Sequence, residues 1–168
     1  RWVKGIDRGQ PVDYRHDDYA GVEVYEDVGG GELARVLDAL PPTRFVGYDT
    51  EGWAERPWSL QVSLAPGSAY VLRVARDDFR AGAAAVQRAA DRGVTIVAHN
   101  LMHDMGVSRA MGVELRRARL WDTMVGAFTV KLEPQGLKAL AYRQCGMRMT
   151  SYGETVGGAG GETQVAYL

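Results

Sequence analysis

Between Arg44 and Val74 the chain presents three strand-like runs in succession, RFVGYDT, WSLQVSLA and SAYVLRV, with no helical pattern between them. In the second run Leu60, Val62 and Leu64 alternate with polar residues, the period of a half-buried strand. The join APGSA between the second and third runs carries the proline and glycine chemistry of a hairpin. After this block the pattern changes. An alanine-rich helix is expected from about Asp77 to Arg92, then the short apolar strand VTIVAH, then a helix in NLMHDMGVSRAMG. RLWDT reads as a further strand, TMVGAFTV and GLKALAYRQCG as two more helices, the last stopped by Gly146. An antiparallel hairpin followed by alternating helices and short parallel strands predicts a mixed α/β sheet with helices on both faces.

Upstream, GVEVYED suggests a short strand, and GGGELARVLDAL a helix from about Glu32 to Leu40 that ends at Pro41 and Pro42. The triple glycine lacks the spacing and the lysine of a phosphate loop and reads as a linker. Residues 1–21 form a polar lead-in, and residues 22–168 one domain. The formal net charge of -1 gives no global field for a nucleic acid, so any such partner must meet a local patch. All but three of the 20 basic residues are arginine, whose fork suits phosphate oxygens, although coding bias gives the same excess. A lone cysteine, Cys145, excludes a disulfide framework and fits a reducing, cytoplasmic compartment. No apolar run is long enough to span a membrane, and no signal peptide is visible. A chain beginning with Arg1 reads as a fragment or a processed piece.

Asp49 and Glu51 stand two apart at the end of the first strand of the block, so both side chains leave the same face. Crowded carboxylates repel and are costly to desolvate unless protons or cations compensate. A hard divalent ion, Mg²⁺ or Mn²⁺, is one compensator. The alternative is a pair of solvated turn residues. Asp104 falls in the first turn or so of a helix that opens just after an apolar strand, where α/β sheets collect ligands and where the helix dipole also favours an acid. Asn100 is expected to cap that helix. His99 and His103 are spaced to share a helix face, but the other candidate ligands are all carboxylates.

The segments VGYDTEGW, AHNLMHDMGVSRAMGVELRRARLWDTMVGAFTV and GLKALAYRQCG, taken in order, resemble the 3′–5′ exonuclease (proofreading) domain of family A DNA polymerases, over roughly residues 22–150. The last segment is similar to the exonuclease regions of phage-type polymerases. The D-x-E of Asp49 and Glu51 matches the family's first motif, and the N-x-x-x-D of Asn100 and Asp104 its second. The resemblance implies a ribonuclease-H-like fold of the DEDD exonuclease superfamily and two divalent metal ions. It implies hydrolysis of phosphodiesters at the 3′ end of single-stranded or frayed DNA, with a polymerase domain in the parent chain of a bacterium or phage-infected cell. Asp49 would bridge both metals, Glu51 would bind one and help hold the terminal 3′-hydroxyl, and Asp104 would ligate the second. Asn100 and His103 would lie beside the substrate. A ribonuclease-D-like exoribonuclease and a catalytically silent nucleic-acid-binding module share the fold and are the alternatives.

The family's third motif, Tyr or His with Asp four residues on, is missing after Asp104: Tyr142 is followed at that step by Gly146 and Tyr152 by Val156. The piece alone is therefore expected to be weakly active or inactive. Asp122, before a helix, is expected to cap it or support the site from behind. Trp53 either stacks on a terminal base or packs at the rim. Trp58, Trp121, Met102, Met105 and Met111 are expected in packing roles, Arg116, Arg117 and Arg119 on a charged surface turn, Lys138 in solvent, and Cys145 as a buried thiol.

Overall fold

The computed structural model describes residues 23–25, 28–65, 68–132 and 134–145. The lead-in, Gly146 and the glycine-rich tail with Tyr152 lie outside them. The elements in chain order are β1 (Glu23–Tyr25), α1 (Gly30–Asp38), β2 (Phe45–Trp53), β3 (Arg56–Ala65), β4 (Ser68–Arg73), α2 (Phe79–Asp91), β5 (Thr95–Ala98), α3 (Leu101–Ala110), β6 (Arg119–Asp122), α4 (Thr123–Thr129) and α5 (Leu137–Cys145). They build a six-stranded mixed sheet in the order β1-β4-β3-β2-β5-β6. β3 and β4 form the expected antiparallel hairpin, and β2 pairs antiparallel with β3 to extend it to a meander, while β5 runs parallel to β2, β6 parallel to β5, and β1 parallel to β4.

The turn from β2 into β3 is tight, and Gly52 makes it possible. Its φ of 103° lies where side chains are strained, and a Cβ there would collide with the backbone of Arg56. A register shift between Glu51 and Gly52 accompanies it.

One sheet face is apolar. Val46 and Tyr48 of β2, Leu60 and Val62 of β3, Leu72 of β4 and Ile96 of β5 pack against Leu33 and Leu37 of α1, Val86 and Ala89 of α2, and Val107 and Met111 of α3. The alternation of β2 and β3 explains why: every second residue reaches this face. The triple glycine is part of this packing rather than a linker. Gly30 opens α1, its N–H donates to Asp78 Oδ2 at 2.8 Å, and a Cβ would strike the backbone of Asp78. The helices α1 and α2 cross closely because Gly30 and Gly82 are small at the crossing.

The other face carries Asp49, Ser59, Gln61 and Ser63 beside Ala69, Val71 and Val97, and is only partly covered. Thr123 at the start of α4 and Leu137 at the start of α5 border a cavity of about 300 Å³ floored by Gly47, Asp49, Gln61 and Ser63. Helices thus stand on both faces, as expected.

Several packing expectations fail. Trp121, on the edge strand β6, is 56% exposed, with its ring lying beside Gly126 of α4. Met102 is 78% exposed on the outer side of α3, and Cys145, at the last turn of α5, is exposed rather than buried. Met105 packs partly against the core, Met111 is buried, and Trp58 is half-buried under the Arg73 guanidinium at 5.5 Å. Lys138 is half-buried rather than fully solvated. Arg116 and Arg117 are exposed on a turn, as expected, while Arg119, also exposed, opens β6.

Candidate active site

Asp49 and Glu51 leave β2 on the polar face, as their spacing requires. Thr50 between them points the opposite way and is buried. It meets α3, which crosses the end of β2: Thr50 Oγ1 donates to Asp104 Oδ1 at 2.8 Å, and one helical turn further on Tyr48 and Ser108 share a hydrogen bond of 2.8 Å. The inward stripe of α3 is Leu101, Asp104, Val107, Ser108 and Met111, so an acid occupies a core position. Asp104 is 1% exposed. The three acids are therefore brought together by two elements, at the place where β5 ends and β2 runs on paired only with β3.

Asp49 is open to solvent through the cleft yet crowded by protein on its other sides. Desolvation, then the charges of Asp104 and Glu51, push its carboxyl up to about 7. Desolvation also raises Glu51, with His103 opposing and Asp104 adding to the rise. Asp104 is raised by desolvation against the bond from Thr50. None of the three makes an ion pair with a Lys or Arg among the described residues. An all-oxygen donor set with uncompensated charge fits a hard divalent cation such as Mg²⁺ or Mn²⁺. Among the described residues no three His, Cys, Asp or Glu side chains already close around one point, so the acids are neighbours rather than a finished cage.

Asn100 does sit at the N-cap position of α3, but its side chain does not cap. Its backbone is left-handed, φ 62° and ψ 51°, and it is exposed. The carboxylate that does the capping is Asp122. It accepts from the N–H groups of Asn100 (3.1 Å) and Leu101 (2.9 Å) at α3, and of Met124 (2.8 Å) and Val125 (3.4 Å) at α4. Its burial opposes ionisation, and these four donors outweigh that and hold the carboxyl below the usual range. The predicted cap of one helix thus joins two and fixes the end of α3 that carries Asp104.

Trp53 is 69% exposed at the rim, its ring perpendicular to that of His103 with centroids 5.5 Å apart. His99 lines the same cavity as Asp49 and bonds to Thr123. Thr123 Oγ1 donates to the carbonyl of Ala98 at 3.1 Å, so at 2.9 Å it accepts from His99 Nδ1–H. Burial holds the ring's pKa down, against the opposing charge of Asp122.

Sequence reasoning missed Thr50 and Gln61. Thr50 follows from alternation, since a residue between two acids on one face must face the other way. Gln61 depends on the pairing register, which places it directly across from Asp49.

No protein-family model and no curated protein sequence matches the chain. Solved structures do match in shape. The catalytic core of RRP6 from Trypanosoma brucei superposes with a TM-score of 0.67 at 13% identity, over 93% of this chain and 48% of that one. Trypanosoma brucei RNase D in complex with GMP gives 0.62 at 13% identity, over 79% and 44%. Brucella melitensis NrnC with bound Mg²⁺ gives 0.53 at 17%, over 77% and 64%. The chain thus spans about half the length of these structures. The neighbours are 3′–5′ exonucleases of the DEDD type, and the chain has their ribonuclease-H-like fold.

Proposed function

We propose that this chain is the catalytic domain, or a large part of one, of a metal-dependent 3′–5′ exonuclease acting on single-stranded ends. The observation that carries the reading is the convergence of Asp49, Glu51 and Asp104 through the Thr50–Asp104 hydrogen bond, with no Lys or Arg ion-paired to them among the described residues. Asp49, Glu51 and Asp104 would hold the divalent ions, two of them by the sequence resemblance; the NrnC structure carries bound Mg²⁺. When bound, such ions lower the pKa of water and offset charge on the phosphoryl oxygens. The chain's own contribution is placement. Trp53 would offer its ring to a terminal base, and Asn100, which is exposed, and His103, which stands against Trp53, would lie beside the substrate by the sequence resemblance.

The substrate assigned first is the frayed 3′ end of DNA, with the chain as the proofreading module of a polymerase in a bacterial or phage-infected cytoplasm. The ordered motifs of the sequence support this. A second reading, short RNA, is favoured by the company the fold keeps: RNase D with GMP, and NrnC bound to pGG. No described helix is long and apolar enough to cross a membrane.

Incubating 5′-labelled DNA and RNA single strands with the chain and Mn²⁺ tests both readings. A DNA ladder shortening from the 3′ end, slow for this piece and absent in Asp49→Ala, is expected. RNA laddering with intact DNA selects the second reading. If the wild type neither binds Mn²⁺ in calorimetry nor cuts either strand, the exonuclease reading fails.

A further inference from the structure

On the polar face of β3, Ser59 and Gln61 are buried, at 0% and 4% exposure. A strand gains nothing from burying polar side chains unless each is bonded, so this pair asks for a reason. Gln61 stands directly opposite Asp49 in the antiparallel register. The two ends of an amide have the same shape, and hydrogen-bond chemistry decides which end points where. With its nitrogen toward β2, Gln61 donates to Asp49 Oδ2 at 3.1 Å and to the Asp49 carbonyl at 3.3 Å, while its oxygen accepts from Ser59 Oγ at 2.9 Å. The reverse orientation sets the amide oxygen against both Asp49 oxygens and leaves them without that donor.

We propose that Gln61 is a positioning residue for Asp49, and that Ser59 locks the amide in the donating orientation. The inference rests on the reading of Asp49 as a metal ligand. A neutral amide suits the task better than a cation would. An arginine or lysine opposite Asp49 would neutralise the carboxylate and compete with a divalent ion. An amide N–H fixes the plane of the carboxylate through Oδ2 and leaves its full charge for the ion. The bonded partners of ligating carboxylates tune metal sites in this way, and losing one typically lowers affinity about 10- to 100-fold.

The test is Mn²⁺ affinity, by calorimetry and by the Mn²⁺ electron-resonance signal, read beside thermal unfolding. Gln61→Met keeps the size and removes the donor, and Gln61→Glu puts an acceptor against Oδ2. We expect affinity to fall about 10-fold or more in the first and further in the second. Ser59→Ala, which frees the amide to turn, should give a smaller loss. Val62→Ala on the apolar face is the structural control, expected to lower the unfolding temperature with Mn²⁺ affinity unchanged. If Gln61→Met behaves like Val62→Ala, destabilised but binding normally, the positioning role is overturned while the metal site stands. If the wild type and Asp49→Ala bind Mn²⁺ equally weakly, the metal site and the positioning role fall together. A measurement on the unmutated protein guards against misfolded variants: Mg²⁺ should shift the Gln61 side-chain amide in the ¹H–¹⁵N spectrum, and an unmoved amide under saturating Mg²⁺ overturns the proposal.

Discussion

The two faces of one strand divide the work of this molecule. From β2, Val46 and Tyr48 enter the apolar core, while Asp49 and Glu51 leave for the cleft. Across on β3, Leu60 and Val62 join the core, and Ser59, Gln61 and Ser63 line the polar side. The same backbone that gains stability on one side thus fixes carboxylates on the other. The spacing of the acids is as rigid as the sheet, because it is a property of the pleat. Thr50 and Asp104 are the crossing point, polar residues on the core side that lend the cleft its third acid.

If the division is sound, substitutions on the two faces should fail differently. The largest effect belongs to the cleft. Asp49→Ala should reduce exonuclease activity of the parent protein by about 1,000-fold, roughly 4 kcal/mol of barrier, without lowering the unfolding temperature. A nuclease assay beside a melting curve checks both halves. On the core face, Leu60→Ala should cost about 2–5 kcal/mol of stability in denaturant titration, because Leu60 is wholly buried and leaves a cavity. The Mn²⁺ affinity of its folded fraction should be unchanged. Trp53→Ala should weaken binding of a single-stranded 3′ end by about 1–3 kcal/mol and leave stability intact, the result expected of an exposed stacking ring. Fluorescence anisotropy with a labelled oligonucleotide measures it, and an equal loss of stability would return Trp53 to the packing side. Asp122→Ala tests the link between the faces. Losing a helix cap costs about 0.5–2 kcal/mol, and here two helices share one. Its activity should fall more than its stability loss explains, since the end of α3 is left unfastened.

Much of this division was legible in the sequence. The alternation of Leu60, Val62 and Leu64 and the D-x-E spacing each specify a face, and the hairpin-then-alternation order specifies the sheet. What could not be read depended on contacts between elements. That Asp122 rather than Asn100 caps α3 follows from β6 ending beside α3, and no local pattern carries it. Gln61 reaches Asp49 through a register that only the folded hairpin sets. Trp121 was misplaced because a short apolar strand looks the same at an edge as in the middle of a sheet. Asp104 was found for its place near a helix start, while its position on the buried stripe of α3 passed unread.

The smallest effect is the most diagnostic of the crowding itself. An unfolded aspartate titrates near 3.8, and Asp49 in the folded protein at about 7. Between those values the metal-free native state keeps a proton that the unfolded chain has released. Stability must therefore fall as pH rises across that window and level off above about 7. Glu51 and Asp104 are shifted in the same direction and add to the slope. Because solvent reaches Asp49 through the cleft, the amplitude should be discounted to the order of 1 kcal/mol. Other groups titrate in this range, so the quantity to measure is the difference between wild type and Asp49→Asn in urea titrations from pH 4 to pH 8. Asp49→Asn should be relatively more stable at the alkaline end. Saturating Mn²⁺ should reverse the order, since the ion binds the ionised carboxylates and couples their deprotonation to folding. A difference that stays flat with pH, with and without Mn²⁺, would mean that the acids share a face without feeling one another. The polar side of the strand would then be an ordinary solvated surface rather than the counterpart of the core.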